Sequence, residues 1–282
     1  MTCRTCSPTK TARVALLLFL PLIFPFSPRV SAGGLEPICA AGFSTAPDIL
    51  SVRQAGIFAV EVPPVRTPLS VEDADAQSLD DKIYYVSPGQ VDAGAIPAPP
   101  ADGSTADRED MAAVRKWQAE RTEAQCAAAL AQEGSSYDEF FGAVSPFSRP
   151  TPADVEKFFG HVRTDAGSID LILKQKFKRP RPFLRDAALD PCLGREKGYS
   201  YPSGHATVSR VFGDILSSLL PRSGAVFMSY ADQAALNRVI GGVHHPTDIE
   251  EGKKLGDLIY QALLKNPDFN SDLEALRKYL KH

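Results

Sequence analysis

From about residue 105 to the C-terminus, apolar residues return every three or four positions, and no other feature constrains the chain as much. The clearest run is Val208, Val211, Phe212, Ile215, Leu216 and Leu219, the buried stripe of an amphipathic helix that starts at or near Ser203 and stops at Pro221. Thr105 can cap an earlier helix whose first turn holds Asp107, Glu109 and Asp110, carboxylates suited to the positive end of a helix. Met111, Val114, Trp117, Ala124 and Ala128 extend its stripe to about Gln132. Thr151-Pro152 opens a further helix with Val155, Phe158 and Phe159 inward. Others are expected over 165–178, over 230–240, from Pro246 to about Lys265, and after a cap at Asn270 or Ser271. There is no internal repeat and no alternation of strand and helix. The periodicity predicts an all-α chain with one helical bundle of about seven helices over 105–282.

The first hundred residues are of another kind. Arg4, Lys10 and Arg13 precede an apolar run over 14–26, and Val30-Ser31-Ala32 offers a small-residue cleavage site, so 1–32 reads as a signal peptide. The run is about 13 residues, short of the roughly 20 needed to cross a bilayer, and no later segment is apolar enough. No Cys follows the cleavage site to carry a lipid. A periplasmic or secreted protein without stable membrane insertion is expected. Residues 33–104 are punctuated by Pro63-Pro64, Pro88-Gly89 and Pro99-Pro100 and read as an irregular Pro-rich extension. Within it, 57–60 and 83–86 suit short strands or packing arms. Such an arm wraps its own domain or reaches a second subunit, which makes a homodimer a reasonable expectation. Of the five cysteines, Cys39, Cys126 and Cys192 survive removal of the signal, and Cys126–Cys192 is the expected bridge because both flank helical core segments. A formal net charge of −3 argues against a general nucleic-acid binder. With no CxxC pair and no His-rich cluster, no metal site is expected.

Any anion site must therefore come from local clustering. Lys174, Lys176, Lys178, Arg179, Arg181 and Arg185 form one basic segment. Alone, such a run more often marks a solvated helix face. Here Arg181-Pro182 is followed by a loop over 186–200 and then by Tyr201-Pro202-Ser203-Gly204-His205 at a helix start. A guanidinium matches two phosphate oxygens at once, and a helix N-terminus with a glycine presents unpaired N–H groups to an anion. Further on come Asn237, Arg238, His244 and Asp248. His244 and Asp248 are one helical turn apart, so the carboxylate can fix the ring's tautomer and leave its other nitrogen free to attack. The plain alternative is a surface ion pair worth a few tenths of a kcal/mol. His245 lacks the four-residue spacing, and His161 and His282 read as packing or surface residues.

Lys174-x6-Arg181-Pro182, Pro202-Ser203-Gly204-His205 and Arg238-x5-His244-x3-Asp248 resemble, in order and spacing, the three-part signature of the type 2 phosphatidic acid phosphatase superfamily. That superfamily includes class A non-specific acid phosphatases, lipid phosphatases and vanadium haloperoxidases, and the chain looks most like the first over roughly 105–280. The resemblance implies a helical bundle of the acid phosphatase and vanadium haloperoxidase type acting on small phosphate monoesters, with no metal or other cofactor. It implies that Lys174, Arg181, Ser203, Gly204 and Arg238 hold the phosphoryl oxygens, that His244 is the nucleophile, that Asp248 orients it, and that His205 protonates the leaving group. One departure is Asn237, where the family usually has Ser before the arginine. Three alternatives stay open: a vanadate-dependent haloperoxidase, a lipid phosphatase, and a non-catalytic phosphate-binding module.

Overall fold

The computed structural model describes residues 82–280. The signal segment 1–32, the extension up to residue 81 with its 57–60 piece, Cys39 and His282 lie outside the described residues. Among the described residues there are nine α-helices and no strand: α1 (Thr105–Glu120), α2 (Glu123–Leu130), α3 (Tyr137–Phe141), α4 (Ala153–Phe177), α5 (Pro182–Arg185), α6 (Gly204–Leu219), α7 (Gly224–Ile240), α8 (Pro246–Leu263) and α9 (Pro267–Ala275). None of them is long and apolar enough to cross a membrane.

The all-α expectation holds, and the differences are local. Ser104 rather than Thr105 caps α1, accepting from the Asp107 N–H. The helix expected to run to Gln132 breaks at Arg121, which is extended because the Thr122 hydroxyl and the Gln125 side chain cap α2 reciprocally. The two helices expected on either side of residue 160 are one, α4, because Gly160 alone does not stop a helix. α7 begins at Gly224, not at Tyr230. The last helix is capped by Asn266, which accepts from the Phe269 N–H at 2.9 Å, with Pro267 at its first position, so the cap expected at Asn270 or Ser271 falls inside it. α3 and α5 are one-turn helices too short to show a period.

Residues 83–86 form no strand. The N–H groups of Tyr84, Tyr85 and Val86 all donate to the Asp165 carboxylate of α4, at 2.9, 2.7 and 3.0 Å. Tyr85, Val86, Val91 and Ile96 are buried in the main core, so this part of the extension wraps the bundle. It also reaches the key turn: the Tyr201 hydroxyl donates to the Pro97 carbonyl at 2.7 Å.

α6 is the central helix. Val211, Ile215 and Leu216 are fully buried against neighbours from α4, α7 and α8. α8 crosses it closely enough that a Cβ on Gly252 would stand 2.5 Å from the Ser203 carbonyl, and one on Gly256 2.8 Å from that of Thr207. This contact fixes the start of α6 beside the start of α8, where the Ser203 N–H donates to the Asp248 carbonyl at 2.9 Å. Cys126 and Cys192 are bonded, as expected, and join α2 to the loop that precedes α6.

Candidate active site

The three sequence segments converge where α4, α6 and α8 meet. Lys174, in the last turn of α4, is buried; its Nζ donates to the Pro202 carbonyl and stands 3.6 Å from Asp170. Burial pushes the Lys174 ammonium down and the Asp170 carboxyl up to about 6, with each group's charge opposing the other's shift. Ser203 caps α6, so its hydroxyl accepts from the Ala206 N–H. A Cβ at Gly204 would meet the Asp170 carboxylate at 2.9 Å, so a larger residue there would push that side chain aside.

His244 is buried between two charges. Its Nδ1 lies 3.3 Å from Asp248 Oδ2 and its Nε2 3.1 Å from Arg181 Nη1. A guanidinium can only donate, so Nε2 carries the lone pair and Nδ1 the proton, donated to Asp248. Burial holds the ring well below its usual range, against the Asp248 hydrogen bond and with the Arg181 charge adding, so it is neutral. Burial alone would raise the Asp248 carboxyl. The pull of His245, the bonds from both histidines and Arg179 outweigh it and keep the group ionised.

Lys174, Arg181, Gly204 and His244 line one cavity of about 350 Å³, together with Asp170, Glu196 and the hydroxyl-bearing Ser135, Thr164 and Ser168. Arg238 is fully buried, and its Nε and Nη1 have no partner among the described residues. Burial lowers the Arg181 guanidinium to about 10 and that of Arg238 to about 9, which still leaves both charged at neutral pH. Buried, cationic donors on one side and a neutral imidazole lone pair on the other suit a tetrahedral oxyanion.

His205 rests against Glu133 and the α3 residue Phe140. Its Nε2 is 3.0 Å from the Glu133 carbonyl, its ring meets Phe140 edge-on with centroids 6.0 Å apart, and it does not line the cavity. Burial lowers it to about 4, with the Glu133 bond opposing and the Arg181 and Lys174 charges adding. An apolar ring neighbour and a backbone acceptor hold it there, and neither is visible in a five-residue motif.

Residues 164–270 match the PAP2 superfamily. The chain carries a PAP2 domain. It is 27% identical over 210 residues to the non-specific acid phosphatase of Providencia stuartii, covering 69% of this chain and 84% of that protein. It is 30% identical over 113 residues to an acid phosphatase of Zymomonas mobilis, which is 38% of this chain and 42% of that one. Among solved structures, a bacterial vanadium-dependent iodoperoxidase superposes with a TM-score of 0.48 at 18% identity, over 60% of this chain and 52% of that one.

The PAP2 domain depends on residues that the motif reading passed over. Arg179 donates to Asp248 Oδ1 at 2.6 Å, to Thr247 Oγ1 at 2.7 Å and to Asp110 Oδ2 at 2.8 Å. Arg185 donates to Asp107 Oδ2 at 2.7 Å and approaches His245 Nε2 at 3.2 Å. His245 is fully buried and as close to the carboxylate as His244, with Nδ1 3.0 Å from Asp248 Oδ2. Asp107 and Asp110 belong to α1, outside the matched residues, so the N-terminal helix is part of the support for the site. In the sequence these residues show only as members of the basic run (Arg179, Arg185), as carboxylates in a first helical turn (Asp107, Asp110) and as the neighbour of His244 (His245). Asn237 is buried, and its Nδ2 donates to Gln132 Oε1 at 2.7 Å.

Proposed function

We propose that the chain is an exported acid phosphatase that hydrolyses small phosphate monoesters through a phosphohistidine, without a metal. One observation carries the reading: His244 is buried and neutral, with Nδ1 on Asp248 and the Nε2 lone pair on the cavity wall beside Arg181. Incoming phosphoryl oxygens take the N–H groups of Arg181, Arg238, Lys174 and Gly204 and the hydroxyl of Ser203, and Arg181 thereby releases the lone pair of His244. Nε2 attacks phosphorus in line while the bond to the leaving oxygen breaks. Asp248 stabilises the cationic ring that results. His205 turns from the Glu133 carbonyl to protonate the leaving oxygen, then takes a proton from the water that splits the phosphohistidine and frees phosphate. The PAP2 match and the acid phosphatase relatives support the reaction class. The 1–32 segment supports export.

Hydrolysis of p-nitrophenyl phosphate in EDTA by the wild type and His244→Ala tests the proposal. Turnover by the wild type and a loss of about 10³-fold or more in the variant are expected, since the nucleophile is one of a set that acts together. Activity that chelator removes and a divalent ion restores, or a fully active variant, overturns it.

A further inference from the structure

The cavity already holds an anion of the chain's own. Glu196 Oε2 lies 2.7 Å from Arg181 Nη2, and Oε1 pairs with Arg238 Nη2. One carboxylate thus bridges the two guanidinium groups that a phosphoryl group would need, with its two oxygens set as two phosphate oxygens would be. The residue stands on the loop before α6, three positions past the buried Leu193 and between Gly194 and Gly198, the latter at φ +84°. Its side chain is 24% exposed, whereas those of Arg181 and Arg238 are 5% and 0% exposed. Of the three, Glu196 is therefore the group that can leave. The loop is pinned on one side by Cys192 and on the other by Ser200, whose N–H donates to the Arg179 carbonyl at 2.9 Å. Any movement is confined to the few residues between them.

Resting on the phosphatase reading above, we propose that Glu196 is a built-in competitor for the phosphate site and sets the enzyme's affinity for its substrate. It keeps two buried cations paired while the site is free and swings outward when a phosphate dianion arrives. A dianion gains more from the two arginines than the single charge it displaces, so phosphate can evict the carboxylate while weaker anions are held off. A site that is open for only a fraction of the time has its apparent affinity reduced by that fraction.

KM for p-nitrophenyl phosphate and the inhibition constant of inorganic phosphate, measured on the wild type, Glu196→Gln and Glu196→Ala, decide the matter. Both constants are expected to fall together in both variants, by about tenfold if the free site is open roughly a tenth of the time. Constants that stay level or rise in both variants overturn the proposal, because they mean that Glu196 only steadies the arginines. Should the wild type fail to turn over, the phosphatase reading is at fault. Calorimetric titration with inorganic phosphate then tests Glu196 without turnover: tighter binding in the variants supports the competitor role, equal or weaker binding overturns it.

Discussion

Arg179 Nη1 donates to Asp248 Oδ1 at 2.6 Å, and through that bond a side chain outside the cavity sets the carboxylate behind His244. The same guanidinium holds Asp110 at 2.8 Å and Asp107 at 3.4 Å, all of them buried. Removing one partner from a buried charge network leaves the others unpaired, at a cost of about 3–5 kcal/mol. Arg179→Met should therefore lower the unfolding free energy obtained from urea titration by an amount in that range and reduce kcat. Arg179→Lys should recover little, since an ammonium cannot span three carboxylates as the guanidinium fork does. A loss below about 1 kcal/mol would show that the network is not what holds α1 to the site.

His245 shares Asp248 with His244 but faces Arg185 instead of the cavity. It is a positioning residue and should behave as one. In His245→Asn the amide can replace the Nδ1–H donor, so kcat should fall by about tenfold and recover toward wild type relative to His245→Ala. His244→Asn should lose about 10³-fold or more, because no amide nitrogen is a nucleophile. Equal losses in the two asparagine variants would show that the imidazole assignments are wrong.

How much of this was legible in the letters follows from range. The α6 stripe and its Ser203 cap are local properties, and both appear as the sequence implies. The Thr122–Gln125 capping box is local too, but it competes with a longer apolar period that runs past it. Three motif segments mark Lys174, Arg181 and His244 because the chemistry needs those types at those spacings. The support behind them is long-range. Asp107 and Asp110 look like solvated carboxylates at a helix start, and only the fold shows that they are buried on an arginine about seventy residues away. Glu196, in a loop with no period, leaves no mark in the sequence at all.

His205 gives the structure a pH signature. Its folded ring takes up a proton only near pH 4, whereas in the unfolded chain it does so near its ordinary 6.5. Between those values the unfolded state binds more protons, so stability falls as pH drops through this window and this ring contributes no slope above it. His244, also held well below its ordinary value, adds to the loss with the same sign. The pH slope of the urea midpoint between about pH 4 and 6.5 should therefore be more positive in the wild type than in His205→Gln, while the Asp170 and Asp214 carboxyls, raised by burial to about 6, act with the opposite sign in both proteins. Matching slopes would mean that His205 is not held neutral. In the enzyme–substrate complex the bound phosphate favours the charged ring, so the alkaline limb of kcat should lie at higher pH than that of kcat/KM.

The position of His244 rests finally on how closely two helices approach. Gly252 lets α8 pass over the first turn of α6, where an added Cβ would stand 2.5 Å from the Ser203 carbonyl, 3.0 Å from the Ala206 Cβ and 3.2 Å from the Ser203 nitrogen. Two of those three neighbours are backbone, so they cannot rotate away, and the helices must part. Asp248 lies one turn before Gly252 on the same helix, and its carbonyl accepts from the Ser203 N–H at 2.9 Å. Displacing α8 would lengthen that bond and move Asp248 and His244 relative to the N-terminal end of α6. Gly252→Ala should thus cost about 1–3 kcal/mol, the usual range for overpacking. It should also lower kcat more than that loss of stability explains at temperatures where the variant is fully folded. Gly160→Ala, inside α4 and away from the cavity, where a Cβ meets nothing within 4 Å, is the control and should leave kcat unchanged while raising stability by up to about 1 kcal/mol, since alanine suits a helix interior better than glycine. Similar behaviour of the two variants would mean that the α6–α8 crossing has slack and does not set the geometry of the site.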